Sequence, residues 1–200
     1  MATISTDVLT PSSLLPVSRL FTAADLAAMP EELPSGPVDF ELYQGRLIPM
    51  SPPGRRHSNL QARISKALIS QGEEQGHGEA YTEVGVLLSR RPDSVVGPDA
   101  AFVCKRSLPA RESPEGYLET IPELVVEIRS KNDTKAYLDR KAADFLQAGA
   151  QLVWIVDPDT NTVVEHRPNA APKNLTTADT LTCDAIIPDF RLPLAELFKE

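Results

Sequence analysis

LVVEIRSKNDTKAYLDRKAADFLQAGAQLVWIV, residues 124–156, is the stretch on which the fold turns. Its first five residues are apolar except for Glu127, and Val125, Val126 and Ile128 are β-branched, which marks a strand. From about Asp133 to Ala148 the apolar positions follow a helical period, and Gly149 supplies a stop. Leu152 to Val156 then forms a short run apolar enough to be buried on both faces. A strand, a helix and a second strand in this order predict an α/β layer structure around one mixed sheet.

Working outward, strands are expected at Tyr81–Leu88 and Val95–Cys104, followed by a polar loop from Lys105 to Thr120. Downstream, Asp157 to Asn161 reads as a turn into a strand at Thr162–His166. Upstream, Leu60, Ile64 and Leu68 recur every four residues after Ser51-Pro52-Pro53-Gly54 and run to the Gly-rich break at Gly72–Gly78, which predicts a helix. Phe40–Tyr43, Gln44-Gly45 and Arg46–Met50 form a hairpin pattern, and Thr22 with Asp25 suits a capping pair on a short N-terminal helix. Residues 1–20 are rich in Ser, Thr and Pro without periodicity and are expected to be a flexible tail, leaving residues 21–200 as a single domain. Ile186 to Phe198 is expected to pack back through Phe190, Leu192, Leu194 and Leu197.

Composition narrows the function classes. The 200 residues, 42% of them hydrophobic, suffice for one sizeable core. There is no apolar run of the roughly 18 residues a membrane span requires, and no secretory pattern at Met1–Val17, so no membrane partner and a cytoplasmic location are expected. Two cysteines, Cys104 and Cys183, and three histidines argue against a disulfide framework or a thiolate zinc site. The formal charge of -8 argues on its face against a nucleic-acid partner. Its distribution is uneven, however. Ser51–Gly72 holds Arg55, Arg56, Arg63 and Lys66 and no acid, while Arg129–Lys141 holds five cations against Asp133 and Asp139. A local anion site on an acidic body is therefore allowed, although ordinary solvated helix faces would carry the same charges.

The chemistry-bearing residues begin with Glu127, whose strand neighbours are all apolar; burying an unpaired carboxylate is costly. Asp99, in Gly97-Pro98-Asp99-Ala100, stands where Pro98 ends a ladder and the sheet opens. If the two strands are neighbours, two carboxylates meet, and like charges so close need a cation. A hard divalent ion would resolve the conflict, and Mg²⁺ suits oxygen ligands with water and phosphate; Asp99 capping a turn and Glu127 pairing with a buried base is the structural alternative. On a helical wheel Lys141 shares an arc of about 140° with Tyr137, Leu138, Ala142, Phe145 and Ala148, so it projects from the core-facing stripe. It and Glu127 each lie roughly 10 Å from the strand-to-helix connection, so their charged groups should be level. Glu41, on the strand preceding the basic segment, is a natural fourth member. Such a constellation is suited to metal-assisted phosphodiester hydrolysis, with Lys141 orienting water or stabilising charge on phosphate oxygens.

In the order Glu41, Pro98-Asp99, Glu127, Lys141 the chain resembles the PD-(D/E)XK nuclease superfamily. More narrowly it resembles the Uma-two family of restriction-endonuclease-like proteins. The resembling segments are Phe40–Leu47, Met50–Pro53 with His57, Pro98–Phe102, Pro122–Ser130, Lys141 with Phe145 and Gly149, and Trp154–Pro158, within a similarity that runs from about Phe21 to Phe198. The resemblance implies an α/β fold with a restriction-endonuclease-like core, a mixed sheet flanked by helices, and an N-terminal helix and hairpin. It implies Glu41, Asp99, Glu127 and Lys141 as catalytic residues, Asp99 and Glu127 as ligands of Mg²⁺ or Mn²⁺, DNA as substrate, and a homodimer by analogy. Arg129 stands where the superfamily's strand lysine would be, open to a role as phosphate contact or replacement charge. Lys131 stands in place of the family's proline, and Phe145 in place of its tyrosine. His57, Arg55, Arg56, Arg129 and Lys131 are the candidate substrate contacts, His57 either approaching a phosphate or capping its helix. The leading expectation is a Mg²⁺-dependent DNA endonuclease; the alternatives are a catalytically silent nuclease-like module that binds DNA or protein, and a metal-free structural dimer.

Overall fold

A computed structural model describes residues 19–30, 32–33, 36–37, 39–111 and 113–199. The N-terminal half comprises α1 (Ala23–Ala27), the two-residue strands β1 (Glu32–Leu33) and β2 (Gly36–Pro37), the hairpin β3 (Phe40–Tyr43) and β4 (Arg46–Pro49), and α2 (Arg55–Leu68). A π turn at Ile69–Glu73 leads into β5 (Gly78–Tyr81), β6 (Val86–Ser89), β7 (Ser94–Val96) and β8 (Ala100–Cys104). Then come β9 (Leu124–Ile128), α3 (Lys135–Ala148), β10 (Leu152–Asp157), β11 (Thr162–His166), β12 (Lys173–Leu175), β13 (Thr180–Leu181), β14 (Leu192–Pro193) and α4 (Leu194–Leu197). The tail assigned to residues 1–20 lies, up to residue 18, outside the described residues.

The central sheet has the order β12-β11-β10-β9-β8-β5. Only β9 and β10 run parallel, Leu152 facing Leu124 through Val156 facing Ile128, as a strand–helix–strand connection requires. Side chains alternate across it. Phe102, Leu124, Val126, Trp154 and Val156 pack with Leu60, Ile64 and Leu68 of α2 and with Ile187, Phe190 and Leu194 from the C-terminal segment. Val103, Val125, Val153 and Ile155 pack on the other face with Leu138, Ala142 and Phe145 of α3. The central strands are therefore apolar on both sides, and Glu127, two residues beyond Val125, falls on the α3 face.

The expectation of one mixed sheet is corrected by a second, four-stranded sheet in the order β4-β3-β7-β6. Both long predicted strands divide between the two sheets. Tyr81–Leu88 is broken at residues 82–85, with β5 on the central sheet and β6 on the smaller one, and Val95–Cys104 divides at Gly97-Pro98-Asp99. Pro98 cannot donate to a ladder, so the chain changes partners there. The hairpin turn is as expected, with Gln44 and Gly45 both at positive φ (48° and 73°), and Leu42 of β3 faces Val95 of β7. Thr22 and Asp25 cap α1 reciprocally. Lys105–Ser107 forms a 3₁₀ turn within the long loop, and Cys104 and Cys183 are buried free thiols.

Trp154 is fully buried, its ring centroid 5.9 Å from that of Phe190 and its Nε1 donating to Glu165 Oε2 at 3.2 Å. Trp154→Ala should cost about 3–5 kcal/mol through cavity formation, and Trp154→Phe clearly less. Urea unfolding followed by circular dichroism checks both.

Candidate active site

Each acidic candidate is delivered by a different element. β8 and β9 are antiparallel neighbours, Ala100 facing Val126, so Asp99 just before β8 comes to the end of β9 that carries Glu127. Asp99 Oδ2 accepts the Ile128 amide at 2.5 Å, which ties it to the residue after Glu127. The smaller sheet brings in Glu41 from β3, and its Oε1 accepts the Gly97 amide at 3.0 Å, two residues from Asp99. α3 supplies Lys141, whose Nζ donates to Glu41 Oε1 and to Glu127 Oε2, each at 3.0 Å. The level estimated from strand and helix rise thus brings the lysine to Glu127. All three charged side chains are buried, with Glu41 at 7%, Glu127 at 4% and Lys141 at 7% exposure. Glu127 Oε1 is also buried and has no hydrogen-bond partner among the described residues.

The electrostatics follow from this burial. Desolvation pushes the Glu127 carboxyl up to about 8; Lys141 pulls it down, while the charges of Asp99 and Glu41 add to the rise. Burial also disfavours the Lys141 ammonium, but Glu127 and Glu41 hold its pKa above the ordinary lysine value. Two glutamates therefore share a single lysine, while Asp99 is held by His57 and the Ile128 amide. Among the described residues, no group of three or more His, Cys, Asp or Glu side chains lies close enough to hold a metal ion.

His57 neither caps its helix nor reaches outward. It is buried on α2 with Nε2 3.2 Å from Asp99 Oδ1, and its Nδ1 has no hydrogen-bond partner among the described residues. Burial works against the charged imidazole, but the Asp99 hydrogen bond and charge, with the Ile128 backbone and Asp133, prevail and raise its pKa. Arg129 is held internally, with Nε 3.2 Å from Asp157 Oδ2 and its guanidinium also bonded to Asp159. Its charge is matched by those two acids. Arg55, Arg56 and Lys131 are exposed, Arg56 donating to Asn161 Oδ1 at 2.9 Å.

Sequence reasoning missed Gln61 and Glu83. Gln61 lies one turn after His57, and its Nε2 donates to the Asp99 carbonyl at 2.9 Å and to Glu83 Oε1 at 3.1 Å. α2 therefore holds Asp99 by its side chain through His57 and by its main chain through Gln61. Glu83 sits at φ 53° in the break between β5 and β6, its amide donating to the Pro98 carbonyl at 3.0 Å. The signal for Gln61 was a polar residue among the inward positions Leu60, Ile64 and Leu68. Glu83 carried none, because it lay inside a predicted continuous strand.

This architecture is similar to a crystal structure described as "a putative nuclease belonging to DUF820" from Anabaena variabilis. The TM-score is 0.73 at 20% sequence identity, covering 89% of this chain and 97% of that one. The fold is α/β and restriction-endonuclease-like. Residues 24–195 match the family described as "Uma2: Putative restriction endonuclease", and the chain belongs to that family. No curated protein matches it.

The raised Glu127 pKa fixes a sign for stability in chelator-treated protein. The unfolded state releases this proton near 4.5 and the folded state near 8, so over that window the folded state binds more protons and wild-type stability falls as pH rises. Glu127→Gln lacks the titration. Its stability relative to wild type should increase between pH 5 and pH 8 by at least about 1 kcal/mol, the equivalent of less than one pKa unit. Paired urea titrations at the two pH values test this.

Proposed function

We propose that this protein is a Mg²⁺-dependent DNA endonuclease that hydrolyses phosphodiester bonds at the Glu41, Asp99, Glu127 and Lys141 site. The observation that carries the reading is Glu127: a carboxylate on an apolar strand with one buried oxygen on Lys141 and the other without a partner among the described residues. Such an oxygen is costly unless something else occupies its lone pairs. The donors fit a hard divalent ion, since Mg²⁺ is usually held by one or two carboxylates together with water and substrate phosphate. Asp99 and Glu127 would hold it. When bound, the ion supplies Lewis-acid polarisation of the phosphate and acidification of a water.

The remaining work falls to the chain itself. Lys141 provides a fixed ammonium for the charge that develops on the phosphate oxygens. Glu41 holds that ammonium in place while being held itself by the Gly97 amide. The Ile128 amide and His57 orient Asp99. Cutting both strands of a duplex with one such site per chain makes a two-fold homodimer part of the same proposal.

A second reading, a nuclease-like module that binds DNA or protein without cutting, is favoured by one observation. Both Asp99 side-chain oxygens have protein partners, and Lys141 bridges both glutamates, as in a structural ion-pair network. Calorimetry separates the readings: the endonuclease should bind Mn²⁺ with an affinity that Glu127→Ala lowers, and the silent module should give no divalent-ion response.

Purified protein with Mg²⁺ or Mn²⁺ should nick or cut plasmid DNA, and chelation should stop it. Glu127→Ala and Lys141→Met should each reduce cleavage at least about 100-fold, the scale expected when a group stabilising the transition state is lost. Cleavage by folded Glu127→Ala at the wild-type rate would refute the assignment.

A further inference from the structure

The sequence of α2, RRHSNLQARISKAL, contains four cations and no acid, in a chain whose formal charge is -8. At 100° per residue, Arg55, Lys66, Asn59, Arg63 and Arg56 fall within an arc of about 100°. His57, Leu60, Gln61, Ile64, Ala67 and Leu68 are the buried residues of the helix and occupy the adjoining arc. All the helix's positive charge is thus gathered on the side facing away from the central sheet.

That side is one wall of an open groove of about 610 Å³, whose lining includes Arg55, Arg56, Asn59, Arg63, Phe198 and Lys199. No acid lines it. Arg63 donates to the carbonyl of Leu197 at 2.7 Å and also to that of Lys199. These acceptors are neutral, so they fix the guanidinium without cancelling its charge. Arg56 is anchored in the same way on the Asn161 side-chain carbonyl. Lys199 is 3.7 Å from Glu196 in an exposed pair, which offers little compensation.

The arrangement is unfavourable to the helix itself. Arg55 and Arg56 occupy the positive end of the helix dipole, where acids belong, and the Gly54 N-cap supplies no side-chain acceptor. The same first turn carries His57, which contacts Asp99 from the helix's buried face, so one helix joins the cationic groove wall to the candidate active site. We infer that this cationic face of α2, with Lys199 opposite, is the track for the phosphate backbone of one nucleic-acid strand leaving the active site. The inference rests on the nuclease reading and adds the path of the substrate to it. Arg55 to Lys66 spans eleven residues, about 16 Å, which equals the axial rise of roughly five base pairs at 3.4 Å of duplex axis per phosphate of one strand. Arg129, neutralised by Asp157 and Asp159, has no part in the track.

The test measures binding with cleavage disabled. Full-length Glu127→Gln protein in EDTA is titrated with a fluorescently labelled 20-base-pair duplex from 25 to 300 mM salt. Adding Arg55→Ala and Lys66→Ala removes two exposed cations that make no ion pair among the described residues. The slope of log affinity against log salt should become shallower by about 2, while Lys173→Ala, on the outer strand β12 of the central sheet, should leave it unchanged. Binding with an unchanged slope in the Arg55/Lys66 variant, an equal loss in the Lys173 variant, or no binding at the lowest salt would each overturn the track. These outcomes are independent of the cleavage test: unaltered cleavage by Glu127→Ala removes the catalytic reading even if the slope changes as expected.

Discussion

One buried ammonium, Lys141 Nζ, held at 3.0 Å by carboxylates from two different sheets, is the contact on which the arrangement of this molecule depends. Its partners come from β3 of the smaller sheet and β9 of the central one, and the lysine from the helix that returns between two parallel strands. Taking such charges out of water costs several kcal/mol per ion, so the pairing repays the cost only if geometry is held by other bonds. Those bonds are present: the Gly97 amide fixes Glu41, and the strand ladder of β9 with its neighbours fixes Glu127. Loss of Lys141 would leave two buried carboxylates without compensation, a larger penalty than the network's own net contribution.

This contact does not balance the site. Glu41, Glu127 and Asp99 can carry three negative charges, while Lys141 contributes one positive charge and His57 a second only when protonated. Burial responds by pushing Glu127 toward its neutral form. A protonated carboxyl and a bound cation are the two physical ways of removing the same excess. The unpartnered Glu127 Oε1 is where either would act. The raised pKa and the proposed metal site are therefore two expressions of one local charge surplus.

What the sequence revealed was whatever local pattern governs. The β9–α3–β10 unit was legible because periods of two and of 3.6 place Glu127 and Lys141 on facing surfaces without knowledge of other strands. The capping of α1, the Gln44-Gly45 turn and the return of the C-terminal segment were legible for the same reason. The division of Tyr81–Leu88 and Val95–Cys104 was not. Strand-forming side chains continue on both sides of each break, and the choice between two sheets depends on hydrogen-bond partners distant in sequence. The surroundings of Arg129 were hidden for a related reason: its pairing with Asp157 and Asp159 depends on the end of β10 and the turn after it, distant in sequence. Glu41 could be named from its position relative to the basic segment, but its burial required the smaller sheet, which local sequence did not disclose.

α2 joins the two halves of this picture because its faces do different work. Its inner face holds the aspartate, with His57 on the carboxylate and Gln61 on the carbonyl of Asp99, while Leu60, Ile64 and Leu68 seat the helix on the central sheet. Its outer face carries the positive charge. A shift of one residue would rotate every side chain by about 100°, which would carry cations into the apolar core and expose the leucines. The apolar stripe therefore fixes the helix rotation far more strongly than either His57 or Gln61 does, and both polar contacts come into register as a consequence of core packing. Because one rigid helix holds Asp99 and presents the arginines, a strand bound along its outer face would keep a fixed spacing from the carboxylates. That is the property a hydrolytic site needs in order to hold a single phosphodiester in place.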